Sequence, residues 1–400
     1  MYKTLSIASL LLLFSCGISK VKLLSGGSVA TGDFFETVPY ENVGQLAILN
    51  VEINGVKARF LFDSGAPNVI SPELAAKLNL KTASSTKVLD SGGNKGTQDI
   101  VVLDSAKVGK IYFFNTAAIV QDLRSNDALS CMNIDGIIGA NLMKEAYWEI
   151  DFQAKNLKFS NKITNLTDTA KMAILPFKTQ ISGTPMVDLR LNGTLIKNMI
   201  FDTGSNGDIT VPNSEVKKIP FTAKEKPMVS IYGSTSYGVY GASPMDTVYF
   251  RKIDSLQIGN NLHLNNKVVN FRGDTKIIGM HLFENYTVIM DWNSKQIYFK
   301  EVKPYVYDEV SHFGFGLAID KNLASVGNLI LKSDADGKLR IGDRILTING
   351  DDLENANETF FCPFIYDDQI RKAYGDSLKL KVKRGEEIFE IEVAKELFLN

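Results

Sequence analysis

Two aspartates stand in nearly the same phrase at two places in this chain. Phe62-Asp63-Ser64-Gly65-Ala66 and Phe201-Asp202-Thr203-Gly204-Ser205 each follow an apolar run. Each has a later partner phrase, Asp135-Gly136-Ile137-Ile138-Gly139 and Lys276-Ile277-Ile278-Gly279. The aspartates lie 139 positions apart, and the closing glycines Gly139 and Gly279 lie 140 apart. Near-equal offsets between elements in the same order point to an internal duplication, with one carboxylate per copy. Carboxylates held close together cannot both ionise readily, so they share a proton. One group can then take a proton from water while the other donates to a carbonyl, which is the chemistry of hydrolysis.

The elements that must position these groups read as strands. Asn54-Gly55 separates strand-like runs at 46–53 and 57–62, and Asn192-Gly193 separates runs at 186–191 and 195–201. Such dipeptides between apolar runs are hairpin turns. Further strand-like runs fall at 107–114, 148–152 and 157–160 in the first copy. In the second they fall at 254–258, 268–271, 287–291 and 296–300. Gly65 and Gly204 let backbone amides approach the carboxylates because no Cβ intervenes. Ile137-Ile138 and Ile277-Ile278 read as core beneath the two active loops. Segments 88–101 and 229–239, rich in glycine and serine, read as hairpins able to close over a cleft. Residues 161–170 and 301–311 read as linkers.

A third unit starts near His312. It opens with Phe313-Gly314-Phe315-Gly316-Leu317, passes through a helix-compatible stretch at 357–374 interrupted by Pro363, and closes with alternating runs at 377–384 and 388–393. The N-terminus has Lys3, an apolar run over 5–14 and then Ser15-Cys16-Gly17, a signal segment rather than part of the fold. With 44 basic and 45 acidic residues the net charge is −1, which excludes the basic footprint of a nucleic-acid binder. The three histidines have no metal-ligand spacing, so neither metal nor cofactor is expected. Cys131 and Cys362, far apart in sequence, read as buried free thiols rather than a disulfide framework. No Gly-x-Ser-x-Gly elbow or phosphate-cradling loop occurs.

The paired phrases resemble those of the aspartic proteases, closest to the retropepsin-like type, over about residues 40–300. That resemblance implies that Asp63 and Asp202 are catalytic and that Ser64 and Thr203 lock the two active loops by bonding across to the opposite loop. Gly65 and Gly204 support those loops. Ser205 would bond the outer oxygen of Asp202, a bond that Ala66 cannot make to Asp63. The third unit resembles a PDZ domain, above all in Gly342-Asp343-Arg344-Ile345-Leu346-Thr347-Ile348-Asn349-Gly350. This implies a carboxylate-binding loop at Phe315, Gly316 and Leu317 for peptide C-termini. The N-terminus resembles a bacterial lipoprotein signal, implying a lipid on Cys16.

The expected fold class is mainly β: two aspartic-protease-like barrels related by a pseudo-two-fold axis, plus an α+β PDZ unit. The expected divisions are 1–16 signal, 17–40 tether, 41–160 lobe one, 171–300 lobe two and 312–398 PDZ. The expected function is an aspartic endopeptidase; the alternative is a non-catalytic peptide-binding or scaffold lipoprotein. The expected partners are peptide or protein substrates, a PDZ peptide ligand and a membrane through the lipid anchor, with no nucleic acid. A monomer is expected, in the cell envelope (periplasmic or at the cell surface), or secreted should Cys16 lack lipid.

Overall fold

The computed structural model describes residues 20–89, 95–124, 127–221, 228–238, 241–304, 310–356, 360–363 and 375–399. Cys16 and the signal segment lie outside these residues, as do the tip of the 88–101 hairpin and most of the stretch at 357–374. The architecture is mainly β. Among the described residues no helix is long and apolar enough to cross a membrane.

Each lobe is started by a hairpin ending at its aspartate. In lobe one, Leu46–Ile53 pairs with Val56–Asp63, from Ile48 opposite Leu61 to Ile53 opposite Val56. Asn54 and Gly55 at the turn take φ of 46° and 82°. In lobe two, Pro185–Leu191 pairs with Thr194–Phe201, and Asn192 and Gly193 take φ of 45° and 82°. Positive φ at both central positions gives the turn a twist that matches the flanking strands, which is why asparagine and glycine occupy them.

The second phrase of each copy then lies parallel to the aspartate strand. Gly136–Gly139 runs beside it in register, with Gly136 opposite Phe60 and Gly139 opposite Asp63. Ile277–Ile278 does the same in lobe two, opposite Ile200 and Phe201. A side chain at Gly139 would put its Cβ 2.1 Å from the Pro67 carbonyl carbon, and one at Gly279 would come 2.2 Å from the Gly207 oxygen. Only a bare Cα fits so close to the active loops.

A shared sheet joins the lobes. Its strands run Phe35–Pro39, Asn156–Ser160, Tyr147–Asp151, Tyr286–Asp291, Gln296–Glu301 and Ala173–Thr179. The middle pair crosses the lobe boundary, with Trp148 opposite Met290 and Asp151 opposite Thr287. One hydrophobic core runs through both lobes. In lobe one it is built on Phe60, Phe62, Trp148 and Phe159, and the last two rings stack at 4.5 Å. In lobe two Phe201, Phe283 and Phe299 match them, with Phe283 and Phe299 at 4.6 Å. Alternation on each aspartate strand thus buries phenylalanines and holds the carboxylate at a rigid strand end. Segment 161–170 is stitched down as well: buried Glu149 accepts from the Thr167 amide (2.7 Å) and hydroxyl (2.9 Å) and from Lys158 Nζ (2.7 Å).

The third unit has its own core, around Phe315, Val326, Leu339, Ile345, Leu380 and Val393. It is fastened to both lobes. Strand Leu323–Ile330 pairs with Val229–Gly233 of lobe two, with Ile231 opposite Ile330 and Gly233 opposite Asn328. Ser234 N donates to Gly327 O (3.1 Å), Leu331 N to Ser230 O (2.8 Å) and Asn328 Nδ2 to Ser234 O (2.9 Å). Strand Val229–Gly233 is also paired on its other side, with Asp246–Ile258.

On the lobe-one side, Cys131 and Cys362 form a disulfide across 231 residues. This corrects the expectation of free thiols. Sequence distance says nothing about pairing once tertiary docking brings two segments together: the short helix Asp127–Ser130 packs against Phe315–Asp320, which places Cys131 at the helical turn over 360–363.

Candidate active site

The two active loops meet at the lobe boundary. Asp63 closes the strand Val56–Asp63, and Asp202 directly follows Thr194–Phe201. Their side chains are in hydrogen-bonding contact with each other. Each aspartate also receives main-chain donors from its own loop. Gly65 N donates to Asp63 Oδ1 (2.7 Å), and Gly204 N donates to Asp202 Oδ1 (2.9 Å). The Ala66 and Ser205 amides add to these contacts. The Ser205 amide also donates to the Asp202 main-chain oxygen (3.3 Å). The loop turns the main chain inward, so Ala66 and Ser205 act alike despite their different side chains.

Ser64 and Thr203 are buried and bond across the boundary. Ser64 N donates to Thr203 Oγ1 (2.8 Å), and Thr203 N donates to Ser64 Oγ (3.1 Å). The hydroxyls in turn donate onward, Ser64 Oγ to Phe201 O (2.7 Å) and Thr203 Oγ1 to Phe62 O (3.1 Å). Gly65 and Gly204 sit against the opposite carboxylates. A Cβ on Gly65 would come 2.5 Å from Asp202 Cγ, and one on Gly204 would come 2.3 Å from Asp63 Cγ.

Burial, above all, pushes the Asp63 carboxyl up; its bond with Asp202 and the amides of Gly65 and Ala66 oppose the rise. Burial also raises Asp202, and the neighbouring Asp63 charge drives it well above the ordinary carboxylate range. Two acids so placed titrate as a pair and keep one proton between them. The arrangement has what water activation needs: a base, an acid beside it and fixed donors beneath.

Four residues around the loops were not found from sequence. In lobe one, buried Asn68 and Asn141 hold the Asp63 loop, with Asn68 N donating to Asn141 Oδ1 (2.7 Å) and Gly139 N to Asn68 Oδ1 (2.8 Å). In lobe two, His281 Nδ1 lies 3.0 Å from Asp208 Oδ1. The signal was in the repeat: Asn141 and His281 each stand two positions after the closing glycine of their phrase.

The candidate flap in lobe one is a hairpin of Ser84–Leu89 and Lys95–Val108, whose tip lies outside the described residues. Its counterpart in lobe two is the strand Val229–Gly233 held to the third unit. Phe315, Gly316 and Leu317 begin the strand Phe315–Asp320, with Phe315 opposite Leu329, Gly316 opposite Asn328 and a bulge before Leu317. The sharp loop lies just upstream, at Gly314 (φ 80°), whose amide donates to His312 Nδ1 (3.1 Å).

The family model described as aspartyl protease matches residues 49–142, from within the strand Leu46–Ile53 to the helical turn after Gly139. Among solved structures, the chain is similar to basic 7S globulin from soybean, at 11% identity over 68% of this chain and 95% of that one, with a TM-score of 0.38. It is also similar to a retropepsin-like aspartic protease from Rickettsia conorii, at 19% identity over 34% of this chain and 93% of that one, with a TM-score of 0.25. No curated protein matches.

Proposed function

We propose that the chain is an aspartic endopeptidase. One observation carries this reading: Asp63 and Asp202, from mirrored strand ends, touch each other while Ser64 and Thr203 lock their loops together. A water between the carboxylates loses a proton to the ionised one and attacks the peptide carbonyl. The protonated one donates to the carbonyl oxygen as negative charge develops there. The proton is then passed to the leaving amine.

The finer parts of the reading are the third unit as a PDZ-like module that engages peptide C-termini near Phe315, Gly316 and Leu317, and a lipid on Cys16 that holds the protein in the cell envelope. The separate core of the third unit supports the first. The Cys131–Cys362 bond supports an oxidising compartment.

The test is hydrolysis of a peptide library and of an unfolded protein by wild type, Asp63→Ala and Asp202→Ala across pH. The expected result is turnover by wild type only. Activity that survives in either variant removes the mechanism. Peptide binding without turnover by wild type would favour the scaffold alternative.

A further inference from the structure

The loop carrying Asp202 is clamped by the three residues that follow Ile278. Gly279 N donates to Asp208 O (2.7 Å), Met280 N donates to Ser205 O (2.8 Å), and His281 pairs with Asp208. Lobe one has the same clamp. Ala140 N donates to Ala66 O (2.8 Å), Gly139 N to the Asn68 side chain, and Asn68 N to Asn141. The copies differ in two respects, the first being that Gly279 N reaches a main-chain oxygen where Gly139 N reaches a side chain. The second is the third tie, an amide contact in lobe one and an imidazole–carboxylate contact in lobe two. Amides do not titrate in the range where proteins fold; imidazole does.

His281 is placed so that its proton can exchange. It lines a cavity of about 280 Å³ between the lobes, with Asn42, Gln45, Gln153 and Glu284. Its side chain keeps 30% of its exposure. Asp208 faces Nδ1, and Glu284 Oε1 lies 3.8 Å from Nε2. The Lys267 charge acts from the strand Leu262–Phe271 and opposes them. The bond to Asp208 and the Asp208 and Glu284 charges outweigh burial and Lys267, holding the imidazolium above its ordinary range. The cation therefore sits between two acids, one of which belongs to the active loop.

We propose that His281 is a positioning residue: as the cation bonded to Asp208 it holds loop 202–208 so that Asp202 faces Asp63, and its deprotonation loosens that half of the pair alone. The effect on turnover rests on the endopeptidase reading; the effect on the loop does not. Because the folded state favours the charged ring, the clamp is complete below the ordinary imidazole range. It weakens as pH rises through the folded-state value.

The experiment uses the full chain and two readouts between about pH 5 and 8.5, the window in which imidazole titrates. The first is hydrogen-exchange protection of the Gly279 and Met280 amides, alongside NMR titration of His281. The second is kcat and KM for peptide hydrolysis. In wild type, protection should fall roughly threefold to fivefold with His281 deprotonation, the scale of a partly exposed charge-assisted bond. Over the same window kcat should fall while KM holds. His281→Asn installs the lobe-one chemistry and should flatten the protection profile and restore kcat on the alkaline side. Flat protection in wild type, or an unchanged decline in His281→Asn, overturns the proposal. Should wild type hydrolyse nothing, the endopeptidase reading fails and the exchange data still decide the role of His281. If His281→Asn does not fold, Asp208→Asn answers instead: protection at the high-pH level throughout supports the clamp, and a wild-type profile refutes it.

Discussion

Ser64 and Thr203 hold each other reciprocally: each hydroxyl accepts the other's amide proton and donates to the carbonyl just before the opposing aspartate. The lobe boundary is therefore tied at the point where the carboxylates must meet. All four bonds are buried, so losing one hydroxyl strands an amide and a carbonyl without partners. Thr203→Ala should lower stability by about 2–3 kcal/mol in urea denaturation. Thr203→Ser, which keeps the oxygen, should cost less than about 1 kcal/mol.

Gly65 and Gly204 are excluded from substitution by the opposite carboxylate rather than by their backbone angles. Gly204→Ala brings a methyl group into Asp63 and must push the pair apart. Peptide hydrolysis should fall by more than about 100-fold, the usual penalty for misplacing reacting groups by an ångström. Circular dichroism should stay unchanged, and a normal rate in this variant would contradict the proposed geometry.

The pair should also leave a mark on stability against pH. An acid whose folded pKa is raised keeps its proton after the unfolded chain has lost it. Wild type should therefore lose stability as pH rises from the unfolded carboxylate range through the pair's own range. Asp202→Asn removes the like-charge contact, so at neutral pH it should melt about 2–4 °C above wild type while being inactive. A melting curve below wild type at neutral pH and equal to it in acid would reverse the assigned direction.

The disulfide should govern how the third unit comes away. Cys131→Ser with Cys362→Ser leaves the strand seam to Val229–Gly233 as the principal fastening. Denaturation should then separate into two steps, with the third unit unfolding first. The loss for that unit should be about 2–4 kcal/mol. A single transition at the wild-type midpoint would show that the bond carries no stability.

The parts of the molecule that were legible in the sequence are those set by local chemistry or by repetition. Asn54-Gly55 and Asn192-Gly193 announced their turns because two successive positive φ angles demand such residues. The aspartates were legible because the copies repeat at nearly constant offset. The long hairpin of Asp246–Ile258 and Leu262–Phe271 was only half visible. Lys252 and Lys267 take buried positions where alternation calls for apolar residues, and Asn266 takes a positive φ of 56° within the second strand. The Cys131–Cys362 bond and the seam to the third unit were invisible, since docking between distant segments leaves no periodic trace. His281 looked isolated because its partner, Asp208, is 73 residues away and only the repeat relates it to Asn141.

Hydrogen bonding along both edges of Val229–Gly233 leaves that strand with no vacant ladder to offer an incoming extended chain. It also ties the strand's position to a neighbouring domain, so any swinging of that wall must carry the whole C-terminal region along. The two walls of the crevice are therefore unequal: among the described residues Ser84–Leu89 is laddered on one edge only, and its opposite number on two.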